Sequence, residues 1–582
     1  MNQLTNDRLF VFIALAAFTT AGCGDKTNSQ VINSQVVEDE RKPITDADWP
    51  SYNHDVRGWR FNSAEKTLSP ENAANVEEKW RFPTRGSDTV VGAIHATPSV
   101  VDGFVYFGTA TYPAFYKLKP NGEIAWVYQP QSGSSDIKSL PKGSANLIDA
   151  ENGILTSALV TDKSVYFGNS VGVFFALDRF TGEERWKADT RAEGFPGHHA
   201  INIFNASAIL ADGKVIVGGG GYEHPYPLDP NYACCTGRGF VVAFDPDSGE
   251  VVWKYDVGEK PQQFDEPVAL VDANGKHLFQ YGPSTSSVWS TPSYDAQTDT
   301  IFFGTDVHNS PRQPTEENPR IDTKYSASII AVDVKTGQEK WVTQLNPGDV
   351  FNQSMSGYDP KTRRYKDCSI GDTPKVYSID VGGKSTKVVG VGCKNGGFYV
   401  LQAEDGKRIA NTPVFNGEPK YPLDPKPDPR MIALPSQVGG IQTGCAMDGK
   451  SVFTNGIDWI SLTTKQPGLP EGGRVVRVAS DLSRENWRHE RPRIRVPEYD
   501  GGDPVGAGIA VGGGLVCFTP TVSEQLVILD KTTGKTLKQI HIGTVWSGPS
   551  ISRGRIYVGT GSILFLKKQL TGTLYCFGLP EE

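Results

Sequence analysis

The hydrophobic residues of this chain recur in one unit: a short apolar strand ending in Gly, then an apolar run ending in Asp or a turn Gly, often followed by Trp. The clearest copy has apolar residues at 165–167 before Gly168, a second run before Asp178, and then Trp186. Seven further copies begin at residues 105, 215, 301, 388, 451, 515 and 556. A period of tens of residues, built from short strands and tight turns, is typical of a β-propeller. We therefore predict an all-β fold: a single eight-bladed propeller of four-stranded antiparallel blades.

The last copy lacks its final strand. It runs through residues 574–578, and the sequence reaches Glu582 before any strand carrying a Trp follows. Residues 77–82, which include Trp80, are predicted to supply that strand. Pairing the first and last segments in one blade closes the ring and removes an exposed sheet edge. The alternative interpretation is two separate domains of four repeats each.

The length and the net charge of the chain limit the classes of protein to which it can belong. A chain of 582 residues would ordinarily suggest several domains, but repeats bury their faces against their neighbours, so one propeller over residues 48–582 is expected. The net charge of −8 argues against nucleic acid as a partner, because phosphate binding needs a concentrated basic face. The locally basic segment 484–495 is interpreted as a solvated loop.

The first 23 residues are predicted to be a targeting segment. Arg8 precedes an apolar run at 9–18 that is too short to span a bilayer, and small residues follow it. Residues 20–23 resemble a bacterial lipoprotein cleavage box, which makes Cys23 the lipidated residue; a plain secretory signal is the alternative. Gly24 after that Cys favours the outer membrane of a Gram-negative bacterium. Residues 24–47 are predicted to be a flexible tether, so the domain is expected in the periplasm, with membrane contact through the lipid anchor only.

The remaining cysteines leave their pairing open. Cys234 and Cys235 are adjacent in the sequence. The other five are an odd number and cannot all pair with one another: Cys368, Cys393, Cys445, Cys517 and Cys576. No Cys-x-x-Cys-His motif is present, so no covalent c-type haem is expected.

Several segments resemble the pyrroloquinoline quinone (PQQ) dependent alcohol dehydrogenases, whose eight-bladed propeller binds PQQ and usually Ca²⁺ near its axis. The similar segments are residues 48–53, 60–61, 75–76, 288–292, 346–349 and 575–580. Residues 234–239, Cys-Cys-Thr-Gly-Arg-Gly, are most similar to the polyvinyl alcohol dehydrogenase branch. The resemblance runs from about Asp48 to the C-terminus and implies the same fold and cofactor.

Three site residues follow from this resemblance. Trp289 matches the Trp on which the flat PQQ ring lies; a Trp that docks one blade on another is the alternative. Asp322 matches the catalytic base that takes the alcohol proton as hydride moves to the C5 carbonyl of PQQ, whereas an ordinary loop Asp would be a turn residue. Lys394 matches the cation that contacts the quinone oxygens and stabilises charge on the reduced ring.

The expected Ca²⁺ ligands are not matched. Aligned with the family, Cys234 occupies the place of a Glu and Val307 the place of an Asn, and neither offers the hard oxygen that Ca²⁺ requires. Glu223, Asp306 and Asn309 are candidate substitutes from two enlarged loops. An Arg expected near Leu155 to contact the cofactor is also missing.

The resemblance also implies a disulfide between Cys234 and Cys235 that lies over the quinone as a rigid plate; a structural disulfide in a surface loop is the alternative. The leading hypothesis is a periplasmic enzyme that oxidises an alcohol, secondary or polymeric, and passes electrons to a separate acceptor such as a cytochrome c. The rival is a non-catalytic propeller lipoprotein that resembles outer-membrane assembly factors.

Overall fold

The computed structural model describes residues 42–581 apart from 131–151, 229–233, 272–276, 285–286, 310–321, 354, 356, 419–422, 436, 459–471, 497–498 and 564–568. The predicted targeting segment and residues 24–41 of the tether lie outside the described residues. From Lys42 onward the chain forms one compact unit made almost entirely of strands.

Eight four-stranded antiparallel blades follow one another along the chain, as the repeat predicts. Blade 1 comprises Ser99–Val101, Phe104–Gly108, Phe115–Leu118 and Ile124–Tyr128, and blade 2 comprises Leu159–Val160, Ser164–Gly168, Val173–Asp178 and Glu184–Asp189. Blade 3 comprises Ile209–Ala211, Lys214–Gly221, Gly239–Phe244 and Val251–Asp256, and blade 4 comprises Ser293–Asp295, Thr300–Gly304, Ser328–Asp333 and Glu339–Gln344. Blade 5 comprises Lys375–Val381, Lys384–Gly392, Phe398–Gln402 and Arg408–Asn411, and blade 6 comprises Ala446–Met447, Ser451–Asp458, Gly472–Ala479 and Glu485–Glu490. Blade 7 comprises Ala510–Gly512, Leu515–Phe518, Gln525–Asp530 and Thr536–His541, and blade 8 comprises Ser550–Ser552, Arg555–Gly559, Leu574–Gly578 and Glu77–Phe82.

Blade 8 closes the ring in the predicted way. Its outer strand Glu77–Phe82 runs antiparallel to Leu574–Gly578, with Trp80 opposite Cys576. Phe61–Asn62 adds a parallel strand to blade 7. The first and last parts of the propeller are therefore joined by backbone pairing, and the single eight-bladed propeller is confirmed.

Several short elements lie beyond the four strands of each blade. Asn202–Ile203 extends the sheet of blade 3. Among the described residues, four two-stranded pairs lie outside the blades: Gln262–Val271 with His277–Gly282, His308–Asn309 with Val350–Phe351, Tyr358–Asp359 with Arg364–Tyr365, and Ile494–Val496 with Tyr499–Gly501. Residues Ala73–Asn75 and Tyr226–Leu228 form 3₁₀ turns. Within the described part of the chain no helix has the length and apolar character needed to cross a membrane.

The Trp of the repeat docks six of the eight blades on the next blade. The Trp186 ring lies so close to Gly249 of blade 3 that a Cβ there would be 2.5 Å from Trp186 Cδ2, and its Nε1 donates to the Pro246 carbonyl at 3.1 Å. Five other Trp–Gly contacts repeat this arrangement: Trp80–Gly122, Trp126–Gly182, Trp253–Gly337, Trp341–Gly406 and Trp487–Gly534. The two blades without this Trp carry Ile409 and Leu537 in the corresponding strands.

The Gly that ends the second strand of the repeat has a packing role as well. A Cβ on Gly168 would lie 2.4 Å from the side chain of Phe204, which belongs to the segment just before the first strand of blade 3. The same close approach joins Gly108 to Ile154, Gly218 to Val288, Gly304 to Ile370, Gly392 to Ile441 and Gly559 to Ile94. These contacts hold the segments before the first strands of blades 1 to 6, and those segments line the site described next.

Candidate active site

A cavity of about 480 Å³ lies at the centre of the ring. Every blade contributes the segment that precedes its first strand, through residues such as Ala96, Ser157, Ser207, Thr291, Gly371, Thr443, Gly508 and Gly548. The enlarged loops add Tyr222, His224 and Asp306. A volume of this size suits a cofactor-sized ligand, because such sites commonly enclose about 300–1,000 Å³.

Trp289 gives the cavity a flat aromatic wall. The ring lies directly on Gly371, where a Cβ would come within 1.8 Å of Trp289 Cη2. The neighbouring Ser290 hydroxyl donates to the Asp372 carbonyl at 2.9 Å and fixes the backbone beside the ring. A partly exposed indole held in this way offers a stacking surface to a planar ligand.

Four charged or titratable side chains meet on one wall. His224 Nε2 lies 3.0 Å from Asp306 Oδ2, and Lys394 Nζ lies 3.1 Å from Asp367 Oδ2. The Ser287 hydroxyl donates to Asp306 Oδ2 at 3.3 Å. Ligating atoms of His224, Asp306 and Asp367 are all within 4.8 Å of one another. Two ion pairs therefore share one small region of the cavity.

Burial and mutual charge set the protonation of this wall. Burial lowers the pKa of His224, but the Asp306 carboxylate outweighs it and holds that pKa above the ordinary value. Burial likewise opposes the charge on Lys394, and Asp367 with Asp306 raises its pKa. Burial raises the pKa of Asp367 although Lys394 lies beside it. Of the residues described around the cavity, Lys394 is the only Lys or Arg.

His95 lines the same cavity as a neutral ring. Burial lowers its pKa to about 4. Its Nε2 accepts the Ile563 N–H at 3.0 Å, so the neutral ring carries its proton on Nδ1. A neutral imidazole here adds a hydrogen-bond donor without adding charge.

Asp322 lies elsewhere. Its carboxylate accepts the Gln344 side-chain amide at 3.0 Å and the Gly348 backbone N–H at 2.8 Å. It is not among the residues that line the cavity. These contacts do not bring Asp322 to Trp289 and Lys394. The role of Asp322 as the base stays a prediction.

The three predicted metal ligands do not all line the cavity. Asp306 lines the cavity, whereas Glu223 and Asn309 do not. The Glu223 carboxylate accepts the Thr236 and Gly237 backbone N–H groups, each at 2.8 Å. Val307, in the place of the family's Asn, is packed in an apolar cluster. Leu155 lines the cavity where the missing Arg was expected.

Cys234 and Cys235 are buried beside Glu223 and away from the cavity lining. Their sulfur atoms are in contact, as a disulfide between neighbours requires. Backbone hydrogen bonds of 3.0 Å in both directions tie the pair to Tyr281. This position does not match a plate over a ligand in the cavity, and the bond itself stays a prediction.

No sequence pattern distinguishes His224 or Asp367 as a site residue. His224 follows Glu223 directly in the same enlarged loop, so the sequence alone does not show which of these two side chains faces the cavity. Asp367 stands between Lys366 and Cys368 with no recognisable motif around it. The only sequence feature that could have indicated Asp367 is its position: a carboxylate shortly before the first strand of a blade, in the segment that lines the cavity.

Comparison with known proteins shows the family to which the chain is similar. Residues 49–416 match the family described as PQQ glucose/ethanol/alcohol dehydrogenase, β-propeller domain. The chain is 27% identical to the quinohemoprotein alcohol dehydrogenase of Comamonas testosteroni over 593 residues, covering 91% of this chain and 76% of that protein. It is 24% identical to the polyvinylalcohol dehydrogenase of Sphingopyxis sp. strain 113P3, covering 88% of this chain and 72% of that protein.

Solved structures share the fold. The crystal structure of the Comamonas enzyme aligns with a TM-score of 0.65 at 20% identity, over 95% of this chain and 84% of that one. A europium-containing methanol dehydrogenase aligns with a TM-score of 0.64 at 18% identity, over 94% of this chain and 100% of that one.

The family match over residues 49–416, together with the eight-bladed propeller fold, places this chain among the quinoprotein dehydrogenases. This chain belongs to the PQQ-dependent alcohol dehydrogenase family, a family of oxidoreductases.

Proposed function

We propose that this protein oxidises an alcohol with PQQ bound in the axial cavity. The observation that carries the proposal is the convergence of Trp289, Lys394 and Asp367 on that cavity. A stacking surface, a cation and a carboxylate are the three elements that this chemistry needs from a protein.

The cavity residues fit a planar, anionic quinone. Trp289 presents one face, held by Gly371, and Lys394 supplies the positive charge. When bound, PQQ supplies the two-electron acceptor that takes hydride from the alcohol carbon. Lys394, kept charged by its carboxylate neighbours, would bind the quinone oxygens and favour negative charge there.

Asp367 is the proton acceptor in this proposal. It lines the cavity, its carboxylate is 3.1 Å from Lys394 Nζ, and its side chain retains 17% exposure. A base must lie within hydrogen-bond reach of the hydroxyl it deprotonates, and the cavity position of Asp367 meets that condition better than the position of Asp322. Asp322 remains the competing prediction from family resemblance.

The substrate we propose is a secondary or polymeric alcohol. The support comes from the polyvinylalcohol dehydrogenases among the relatives and from the apolar part of the lining. That part includes Leu155, Phe351, Val438, Ile457 and Trp546. An apolar wall favours a carbon chain beside the reacting hydroxyl.

We further propose that the enzyme works in the periplasm, anchored through lipidated Cys23, and delivers its electrons to a separate acceptor such as a cytochrome c. The support is the predicted leader with its lipoprotein-like cleavage box at residues 20–23. Replacing Cys23 by Ser should move the protein from the membrane fraction to the soluble periplasmic fraction. Unchanged fractionation would contradict the anchor.

Dye-linked oxidation of polyvinyl alcohol, 2-butanol and 1-butanol by the PQQ-loaded protein tests the proposal. Asp367→Asn should lower kcat by about 10²-fold or more while PQQ is still taken up. Asp322→Asn is the matched control, because its carboxylate binds Gln344 and Gly348 instead of facing the cavity. If Asp322→Asn abolishes turnover and Asp367→Asn does not, the base assignment is wrong. No turnover by the wild-type protein on any of the three alcohols would contradict the proposed oxidation.

A further inference from the structure

The wall that holds His224 and Asp306, with Asp367 beside them, has the character of a cation site. Their ligating atoms lie within 4.8 Å of one another, and both His224 and Asp306 are 7% exposed. Asp306 Oδ2 faces His224 Nε2 at 3.0 Å and receives the Ser287 hydroxyl at 3.3 Å. The group also lines the cavity, so a bound ion would have open coordination positions on that side.

The balance of charge in the cavity also favours a bound cation on this wall. Two carboxylates, Asp306 and Asp367, share this wall, with ligating atoms within 4.8 Å of each other. Lys394 is the one permanently charged cation among the described lining residues. A ligand with several carboxylates, such as PQQ, would add more negative charge than Lys394 balances. A divalent cation would offset this excess.

The kind of donor atom then indicates the kind of ion. Ca²⁺ takes six to eight oxygen ligands. The oxygen donor Glu223 is already occupied by the backbone N–H groups of Thr236 and Gly237, and Val307 offers no donor. The side chain that does reach Asp306 is an imidazole, and imidazole nitrogen suits first-row transition metals.

We propose that His224 and Asp306 bind a first-row divalent transition-metal ion, in preference to Ca²⁺, on the wall of the axial cavity. His224 binds through Nε2 and Asp306 through a carboxylate oxygen. Asp367 stays paired with Lys394 and is not a ligand, which leaves it free for the proton transfer assigned above. The metal site concerns the same cavity as the proposed function, but its test uses no PQQ, so either can fail alone.

The test is a titration of the untagged, PQQ-free, full-length protein with Co²⁺, followed by the visible absorption of the bound ion and by calorimetry. Zn²⁺, Mn²⁺ and Ca²⁺ are then added as competitors. We expect one ion per chain, with Co²⁺ binding at least about tenfold more tightly than Ca²⁺. Tighter binding of Ca²⁺ than of Co²⁺ and Zn²⁺ in the wild-type protein would overturn the proposal without any variant.

Variants separate the roles of the three residues. His224→Gln and Asp306→Asn should each weaken Co²⁺ binding by about tenfold or more. His541→Gln is the control for surface binding, because that side chain is 72% exposed. Asp367→Asn should retain Co²⁺ binding within about threefold of wild type. Unchanged binding in His224→Gln, or loss of binding in Asp367→Asn, would overturn the assignment of ligands.

Discussion

The indole of Trp289 rests on the backbone of Gly371 without space for a single added carbon: a Cβ on Gly371 would lie 1.8 Å from Trp289 Cη2. Both residues line the cavity. Gly371 therefore sets the position of the aromatic wall, since any side chain there would push the ring away from its seat.

Gly371→Ala should abolish or greatly weaken PQQ binding while the propeller stays folded. The ring has the open cavity beside it and can move there, so the methyl group would displace Trp289 into the volume that the quinone needs. Equilibrium binding of PQQ and a thermal unfolding curve measure the two effects. Gly194→Ala is the control, because a Cβ at Gly194 meets nothing within 4 Å. Normal PQQ affinity in Gly371→Ala would contradict this role of the glycine.

Docking between blades gives a stability prediction. In Gly249→Ala the new methyl group would meet the ring of Trp186 at 2.5 Å, and we expect about 1–3 kcal/mol lower free energy of unfolding than in Gly213→Ala. Gly213 is matched because it also has positive φ, +70° against +76°, yet a Cβ there meets nothing within 4 Å. Chemical denaturation of both variants gives the difference. Equal stability would mean that the Trp–Gly contact does not hold the blades together.

His95 predicts a pH dependence of stability. Burial lowers its pKa in the folded protein from 6.5 to about 4, so between these values the unfolded chain binds a proton that the folded protein does not. This residue therefore makes the free energy of unfolding fall as the pH falls through that window, and its effect is absent above it. Urea unfolding at pH about 7 and about 4.5 should show a smaller loss in His95→Gln than in the wild-type protein. The same loss in both would contradict a neutral His95.

How far the sequence predicts the fold can be judged from the repeat. Gly168, Asp178 and Trp186 are local signals of strand ends and turns, and the Gly and the Trp each have the same packing role in most blades, so eight blades and the closing strand at 77–82 were predictable. Repetition made the prediction robust, because a weak copy such as that with Leu537 is supported by its neighbours.

The site was predicted only in part, for a physical reason. Trp289 and Lys394 lie next to blade strands whose register is fixed, so their direction toward the axis follows from the fold. Glu223 and His224 lie in an enlarged loop, where no periodicity decides which of two neighbours faces the cavity. Asp322 has the right register in sequence, yet Gln344 and Gly348 compete for its carboxylate.

Equilibrium dialysis of the purified full-length protein against PQQ, with and without an added divalent cation, shows whether the axial cavity binds the quinone through Lys394 when wild type is compared with Lys394→Met. We expect one PQQ per chain in the wild-type protein and at least about tenfold weaker binding in Lys394→Met, because the only Lys or Arg among the described lining residues is lost. Failure of the wild-type protein to bind PQQ under either condition would contradict a PQQ site in this cavity and leave a propeller whose cavity serves another purpose.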